Sequence, residues 1–172
     1  RILPRQVGFD SLQTFSYVIK PTFRVGDQGF DRVHIRTSSP VEDVSLKVGG
    51  TMVTPMAVAM AGDSLRIDLP GRVQRDSVEV LFKTRLRANA TAFDAWVSLV
   101  GTDPRQGVRP AEQHSATVFV PAVASGGALI RSVEVTSLVT PNGDGVNDVA
   151  AIRFALAKVE SAVPEVTIHD LS

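Results

Sequence analysis

The feature that most constrains the fold of this chain is a period-two alternation of apolar and polar side chains. In the clearest case, Val33 and Ile35 alternate with the basic residues Arg32, His34 and Arg36. Similar alternation occurs in four further segments, at 44–48, 65–69, 78–82 and 93–99. Because successive side chains of an extended strand point to opposite faces, this pattern is typical of strands that bury one face. We therefore predict an all-β chain.

Turn-forming residues separate these segments. Pro40 lies in the first gap, and Pro70-Gly71 is expected to end the strand that begins near Leu65. Strands spaced about 8–12 residues apart are typical of a β-sandwich. The best helical candidate, Ala57 to Ala61, is too short to change this interpretation. We predict an antiparallel, immunoglobulin-like β-sandwich over residues 22–121.

The flanking segments differ in composition from this domain. Residues 1–21 contain a candidate strand at Thr14 to Ile19 but no earlier pattern, so we expect an N-terminal arm. Residues 122–130 are rich in Gly and Ala, as a flexible linker is. Residues 131–172 contain too few strands to close a sandwich. We expect them to be the incomplete start of a second immunoglobulin-like module.

Composition excludes several classes of function. The chain has 18 basic and 18 acidic residues, so it has no global charge that would attract nucleic acid. It has no cysteine, which excludes disulfides, thiolate zinc sites and a cysteine nucleophile. No apolar run approaches the roughly 20 residues of a membrane-spanning helix. Because residue 1 is Arg rather than Met, we expect that an export signal has been removed upstream.

One polar loop concentrates oxygen donors at short spacing. It contains Asn142, Asp144, Asn147 and Asp148, with glycines that permit tight turns. Carboxylate and amide oxygens are calcium ligands, so these four residues form a candidate calcium site. The alternative, which we prefer, is an Asx-type turn in which these side chains bond their own backbone. We predict no other metal site and no required cofactor.

The same loop is part of a longer segment, VTPNGDGVNDVAAIRFALAKVESAVPEVTIHDLS, over residues 139–172. This segment resembles the start of the immunoglobulin-like module named after the flagellar hook-capping protein. Similar TPNGDGVND openings begin C-terminal modules of many secreted and surface-attached bacterial proteins. The resemblance covers about a fifth of the chain and departs from the family where the rest of the module would follow. It implies an exported, non-catalytic context in the periplasm or at the cell surface.

We find no catalytic constellation in the sequence. His34, His114 and His169 are too scattered for a metal triad, and we expect them at the surface. Trp96 and Phe93 could form a sugar-stacking platform, although strand aromatics more often belong to the core. The chain is therefore not expected to be an enzyme.

These observations predict a non-catalytic structural or interaction protein that acts as a scaffold or assembly subunit at the bacterial cell envelope. Its expected partners are other proteins of an envelope or membrane-associated assembly. One alternative is a periplasmic extrinsic subunit that stabilises a membrane-embedded complex, for example a photosynthetic reaction-centre, antenna or respiratory assembly, through the N-terminal arm. Another alternative is a carbohydrate-binding accessory module.

Overall fold

The computed structural model describes residues 1–124, 130–156, 165 and 167. The chain divides into two compact units, Arg1–Ser125 and Gly126–Ser172. In the described residues, no helix is long and apolar enough to cross a membrane.

Short strands make up most of the first unit, and a single helical turn, α1 (Pro121–Ala124), follows them. In chain order the strands are β1 (Ile2–Leu3), β2 (Leu12–Ile19), β3 (Phe30–Arg36), β4 (Val41–Val48), β5 (Thr51–Val53), β6 (Ala57–Ala61), β7 (Ser64–Val73), β8 (Val78–Arg85), β9 (Ala90–Ala92), β10 (Ala95–Ser98), β11 (Gln106–Gly107) and β12 (Thr117–Phe119).

These strands form two five-stranded antiparallel sheets. The first sheet has the order β1-β2-β8-β4-β5, and the second has the order β11-β10-β3-β7-β6. A third, two-stranded sheet pairs β12 with β9. Both large sheets contribute alternate side chains to one apolar core, which is the arrangement of a β-sandwich. The prediction of an all-β, antiparallel fold is confirmed, and its immunoglobulin-like detail stays a prediction.

Three phenylalanines lie at the centre of this core. Phe15 on β2 and Phe82 on β8 are directly paired, with ring centroids 5.8 Å apart. Phe93, between β9 and β10, lies 5.8 Å from the first ring and 5.9 Å from the second. All three side chains are fully buried. Tilted ring contacts at this distance stabilise a core beyond the area that they remove from water.

Residues 1–21 are not a separate arm. Ile2 is fully buried, and β2 pairs with β8 along its whole length. The segment between β1 and β2 also contacts β12, because Val7 N donates to Phe119 O at 3.0 Å and Phe119 N donates to Arg5 O at 2.8 Å. A two-residue strand with one buried side chain is too short to show alternation. The sequence pattern therefore did not reveal that β1 belongs to the sheet.

The Pro70-Gly71 turn prediction is also wrong, since β7 continues through both residues to Val73. The register between β3 and β7 shifts between the pairs Arg32–Asp68 and Phe30–Val73. The proline and glycine lie in the extra length of β7 and are exposed. A bulge tolerates a proline because no ladder hydrogen bond is needed there.

The described part of the second unit is a strand pair. Strand β13 (Ile130–Val135) pairs antiparallel with β14 (Ile152–Leu156), and a bulge interrupts the register. The polar loop that contains the four candidate calcium ligands connects the two strands. Most of the expected linker 122–130 lies outside the described residues.

Two buried threonines offer a matched test of this core. Thr84 Oγ1 donates to Pro40 O at 2.8 Å, whereas the hydroxyl of Thr91 has no hydrogen-bond partner among the described residues. We expect Thr84→Val to lower the free energy of unfolding by ~1–2 kcal/mol, because it leaves a carbonyl unpaired. Thr91→Val should leave it unchanged or raise it. Urea denaturation of both variants measures the difference, and equal losses would contradict this assignment of hydrogen bonds.

Candidate functional site

The loop between β13 and β14 is organised around the carboxylate of Asp148. Its Oδ1 accepts hydrogen bonds from the backbone N–H of Asn142 at 3.0 Å and of Gly143 at 2.9 Å. Its Oδ2 accepts one from Gly145 N at 2.7 Å. Both glycines have a positive φ, 80° and 83°, which a side chain would strain. One carboxylate therefore closes the loop on three backbone amides.

The other predicted ligands are also held by the loop. Asp144 Oδ1 accepts from Val146 N at 2.7 Å, and its Oδ2 accepts from Asn142 Nδ2 at 2.9 Å. Asn142 Oδ1 accepts from Asp144 N at 3.1 Å. Asn147 has a φ of 56°, and its backbone carbonyl accepts from Thr140 N at 2.8 Å. These contacts are those of successive Asx-type turns.

The electrostatics of the loop agree with this geometry. Hydrogen bonds from Gly143 and Gly145 hold the pKa of Asp148 below its usual value, and a bond from Val146 does the same for Asp144. Among the described residues, no group of three or more His, Asp or Glu side chains is arranged to hold a metal ion. The geometry favours the turn interpretation, and calcium binding by this loop stays a prediction.

The two carboxylates can be separated experimentally. We expect Asp148→Asn to shift the backbone amide resonances of Asn142, Gly143 and Gly145, because the charged acceptor of all three is lost. Asp144→Asn is the matched control and should shift mainly Val146. Nuclear magnetic resonance spectra recorded with and without calcium test both interpretations together. A calcium-dependent change that either substitution abolishes would contradict the turn-only interpretation.

A polar cluster occupies the outer face of the second sheet. His34 on β3 lies beside Trp96 on β10 and Arg66 on β7, as the strand register requires. His34 Nε2 is 3.3 Å from Ser98 Oγ, and both residues are buried. The expectation that His34 is a surface histidine is therefore wrong: neighbouring side chains cover it although it lies on an outward face. His114 is exposed, and His169 lies outside the described residues.

The Ser98–His34 pair has the composition of a nucleophile and its base but lacks the environment that this chemistry needs. Asp68, the nearby carboxylate, is engaged by Arg32 through two bonds of 2.6 and 2.8 Å. Burial, followed by the charges of Arg105 and Arg32, lowers the pKa of His34. These surroundings disfavour the imidazolium that a general base must form, and Ser98 is only 7% exposed. The cluster is suited to structural packing.

The pKa of His34 provides a direct test of this environment. We expect it to titrate below its ordinary value of 6.5. Between the folded and unfolded pKa values the unfolded chain binds more protons, so stability is full above 6.5 and falls as the pH decreases below it. Replacing Arg105 with Gln should move the pKa of His34 upward, whereas Arg109→Gln, on the other side of β11, should not. Titration of the imidazole proton resonances measures this, and an unchanged pKa in the first variant would refute the model of charge repulsion.

The two aromatics proposed as a sugar platform do not come together. Phe93 is fully buried among the core phenylalanines, whereas Trp96 lies on the outer face. The guanidinium of Arg36 lies over the Trp96 ring, 5.1 Å from its centroid. A cation in this position occupies the face on which a sugar ring would stack. The structure therefore does not assemble the candidate platform, and Phe93 has the core position that strand aromatics more often take.

The first unit has an open groove of about 1310 Å³. It lies between residues 19–30 and residues 97–110, and its charged lining residues are Lys20, Asp27, Arg105 and Arg109. Ser98 also lines this groove, but its Oγ lies 3.3 Å from the buried His34, whose lowered pKa disfavours the imidazolium form. The groove offers a surface for contact rather than a set of assembled reactive groups.

One feature that the sequence interpretation missed is an exposed apolar edge, formed by β5, β6 and the residues that connect them. We call it the methionine edge, because all three methionines of the chain lie there. The exposed fractions are 57% for Met52, 74% for Met56, and 43% for both Val58 and Met60. The available signal was the absence of any charged residue from Val48 to Gly62.

Comparisons with known proteins do not assign the chain to a family. The sequence matches no protein-family profile, and no curated protein is significantly similar to it.

Proposed function

We propose that this protein is a non-catalytic structural or interaction protein, exported to the bacterial periplasm or cell surface, where it serves as a scaffold or assembly subunit. The observation that supports this function best is the methionine edge. Four large apolar side chains that a monomer would be expected to bury or replace lie together at the end of both sheets.

The chemistry of this edge differs from that of a protected one. Edge strands of soluble proteins commonly carry charged residues or proline, which prevent pairing with other chains. Strand β6 has neither, and it is the last strand of its sheet. Methionine side chains are flexible and polarizable, so they adapt to a partner surface at low cost. The edge is thus suited to contact with another protein.

Ion pairs occupy part of the rest of the described surface. They include Lys83 with Asp43 at 2.6 Å and Arg87 with Asp10 at 2.8 Å. Such surface pairs contribute little to stability. The resemblance of residues 139–172 to modules of secreted bacterial proteins supports an exported setting.

The alternative of an extrinsic subunit relied on an N-terminal arm. Because residues 1–21 belong to the first unit, that alternative has no structural feature of its own. Its partners would have to bind another surface, and the methionine edge is again the best candidate.

The proposal predicts that the native protein travels with other chains. After gentle extraction from its source, size analysis and mass spectrometry should find it in an assembly larger than the monomer. Met60→Lys should release it, because a charge at a pairing edge must lose its hydration when the edge is covered. Val25→Lys, at a fully exposed position away from this edge, is the control.

The result of this experiment distinguishes the scaffold role of the protein from the extrinsic-subunit role. Migration of the unmodified protein as a free monomer would contradict the proposal. Comigration with integral membrane subunits would identify the extrinsic-subunit role, and an assembly of envelope proteins would support the scaffold role.

A further inference from the structure

Strand β6 is open on one side. It pairs with β7 through five residues, and on its other side it pairs with no strand among the described residues. Val58 and Met60 lie opposite Ile67 and Leu65, which are buried in the core, so they face the interior side of the sheet. At this edge they are still 43% exposed. The apolar interior of the sandwich therefore reaches the surface here.

We infer that β6 pairs antiparallel with β6 of a second copy of this chain, with Ala59 opposite Ala59 on a two-fold axis. This inference rests on the proposed function, in which the methionine edge is a contact surface, and it specifies the occupant. The two second sheets would then form one continuous ten-stranded sheet.

The sequence of β6 is complementary to itself. In the order AVAMA, small and large side chains alternate symmetrically about Ala59. Antiparallel pairing about that residue places Val58 opposite Met60 of the second copy, and Ala57 opposite its Ala61. The four large side chains then meet on the interior face, and the alanines meet on the outer face. A two-fold interface requires this kind of self-complementary patch.

Other registers are less favourable. A slip by one residue would place the outward alanines of one copy opposite the inward Val58 and Met60 of the other, which breaks the match of faces. A slip by two residues preserves the faces but pairs only part of the five-residue strand. The register centred on Ala59 is the one that uses every residue of β6 and matches both faces.

Electrostatics do not oppose this pairing. Strand β6 has no charged residue, and the nearest basic side chain on its outer face is Arg66, opposite Ala59 on β7. In the symmetric sheet, the two copies of Arg66 would be three strand spacings apart, about 14 Å at ~4.8 Å per strand. This exceeds the Debye length of ~10 Å at 0.1 M salt. The chain as a whole has no net charge, so there is no long-range repulsion between copies.

The absence of cysteine from the chain permits a simple cross-linking test on the full chain. In the proposed register, Ala59→Cys places two thiols opposite each other, within the roughly 4.4–6.8 Å between Cα atoms that a disulfide spans. Under mild oxidation this variant should run as a covalent dimer. Ala61→Cys is the matched control, because its two thiols would be four residues apart along the strand, about 13 Å. It should stay monomeric.

A second variant tests the same register in case the two thiols of the Ala59→Cys variant do not reach each other. Ala57→Cys combined with Ala61→Cys should form two disulfides between copies, because position 57 of each copy lies opposite position 61 of the other. Sedimentation velocity of the unmodified chain at increasing concentration should show reversible dimer formation, and Val58→Lys should abolish it. Circular dichroism verifies that every variant is folded.

The outcomes separate this inference from the proposed function. Equal cross-linking of the Ala59→Cys and Ala61→Cys variants would overturn the register, and folded variants that do not cross-link, together with a monomeric parent, would overturn self-pairing. If self-pairing fails while Met60→Lys still releases the native protein from a larger assembly, the edge binds a strand of another protein and the proposed function stands. If both tests fail, both proposals are wrong.

Discussion

The fold depends on apolar packing between two sheets, because the chain has no cysteine with which to join them. The contact of Phe15, Phe82 and Phe93 is the centre of that packing. It joins β2, β8 and the segment between β9 and β10, which are distant in sequence. Strand pairing then places the outward cluster at His34 and the exposed edge at β6. A core of this kind is sensitive to the loss of even one methylene group.

Much of the first unit could be predicted from alternation. The strands containing Val33, Leu46, Ile67 and Val80 all bury one face, so each shows the period-two signal. The alternation did not predict those parts of the structure that depend on pairing between segments distant in sequence. Ile2 is buried because β1 pairs with β2 and its N–H bonds Ser115 O, neither of which leaves a local pattern. The bulge at Pro70-Gly71 is likewise a property of two strands.

The candidate sites likewise divide into one formed by local contacts and others formed by contacts between distant residues. The loop at Asn142 to Asp148 could be predicted, because every one of its bonds joins residues no more than a few positions apart. The contact of His34 with Ser98 joins residues 64 positions apart and depends on the pairing of β3 with β10. The methionine edge depends on the order of the strands in each sheet. An uncharged segment becomes a contact surface only when its strand ends a sheet, and strand order is not encoded in local composition.

The bonds between residues 5–7 and Phe119 have a mechanical consequence. They join the two ends of the first unit through a parallel bridge, at Gln6 and Phe119. When a chain is pulled at both ends, parallel terminal strands slide past each other, so their hydrogen bonds bear the load together. Antiparallel terminal strands would instead separate one bond at a time. Under tension applied to its two ends, the first unit would therefore be loaded in shear, and a few backbone bonds would set its resistance to force.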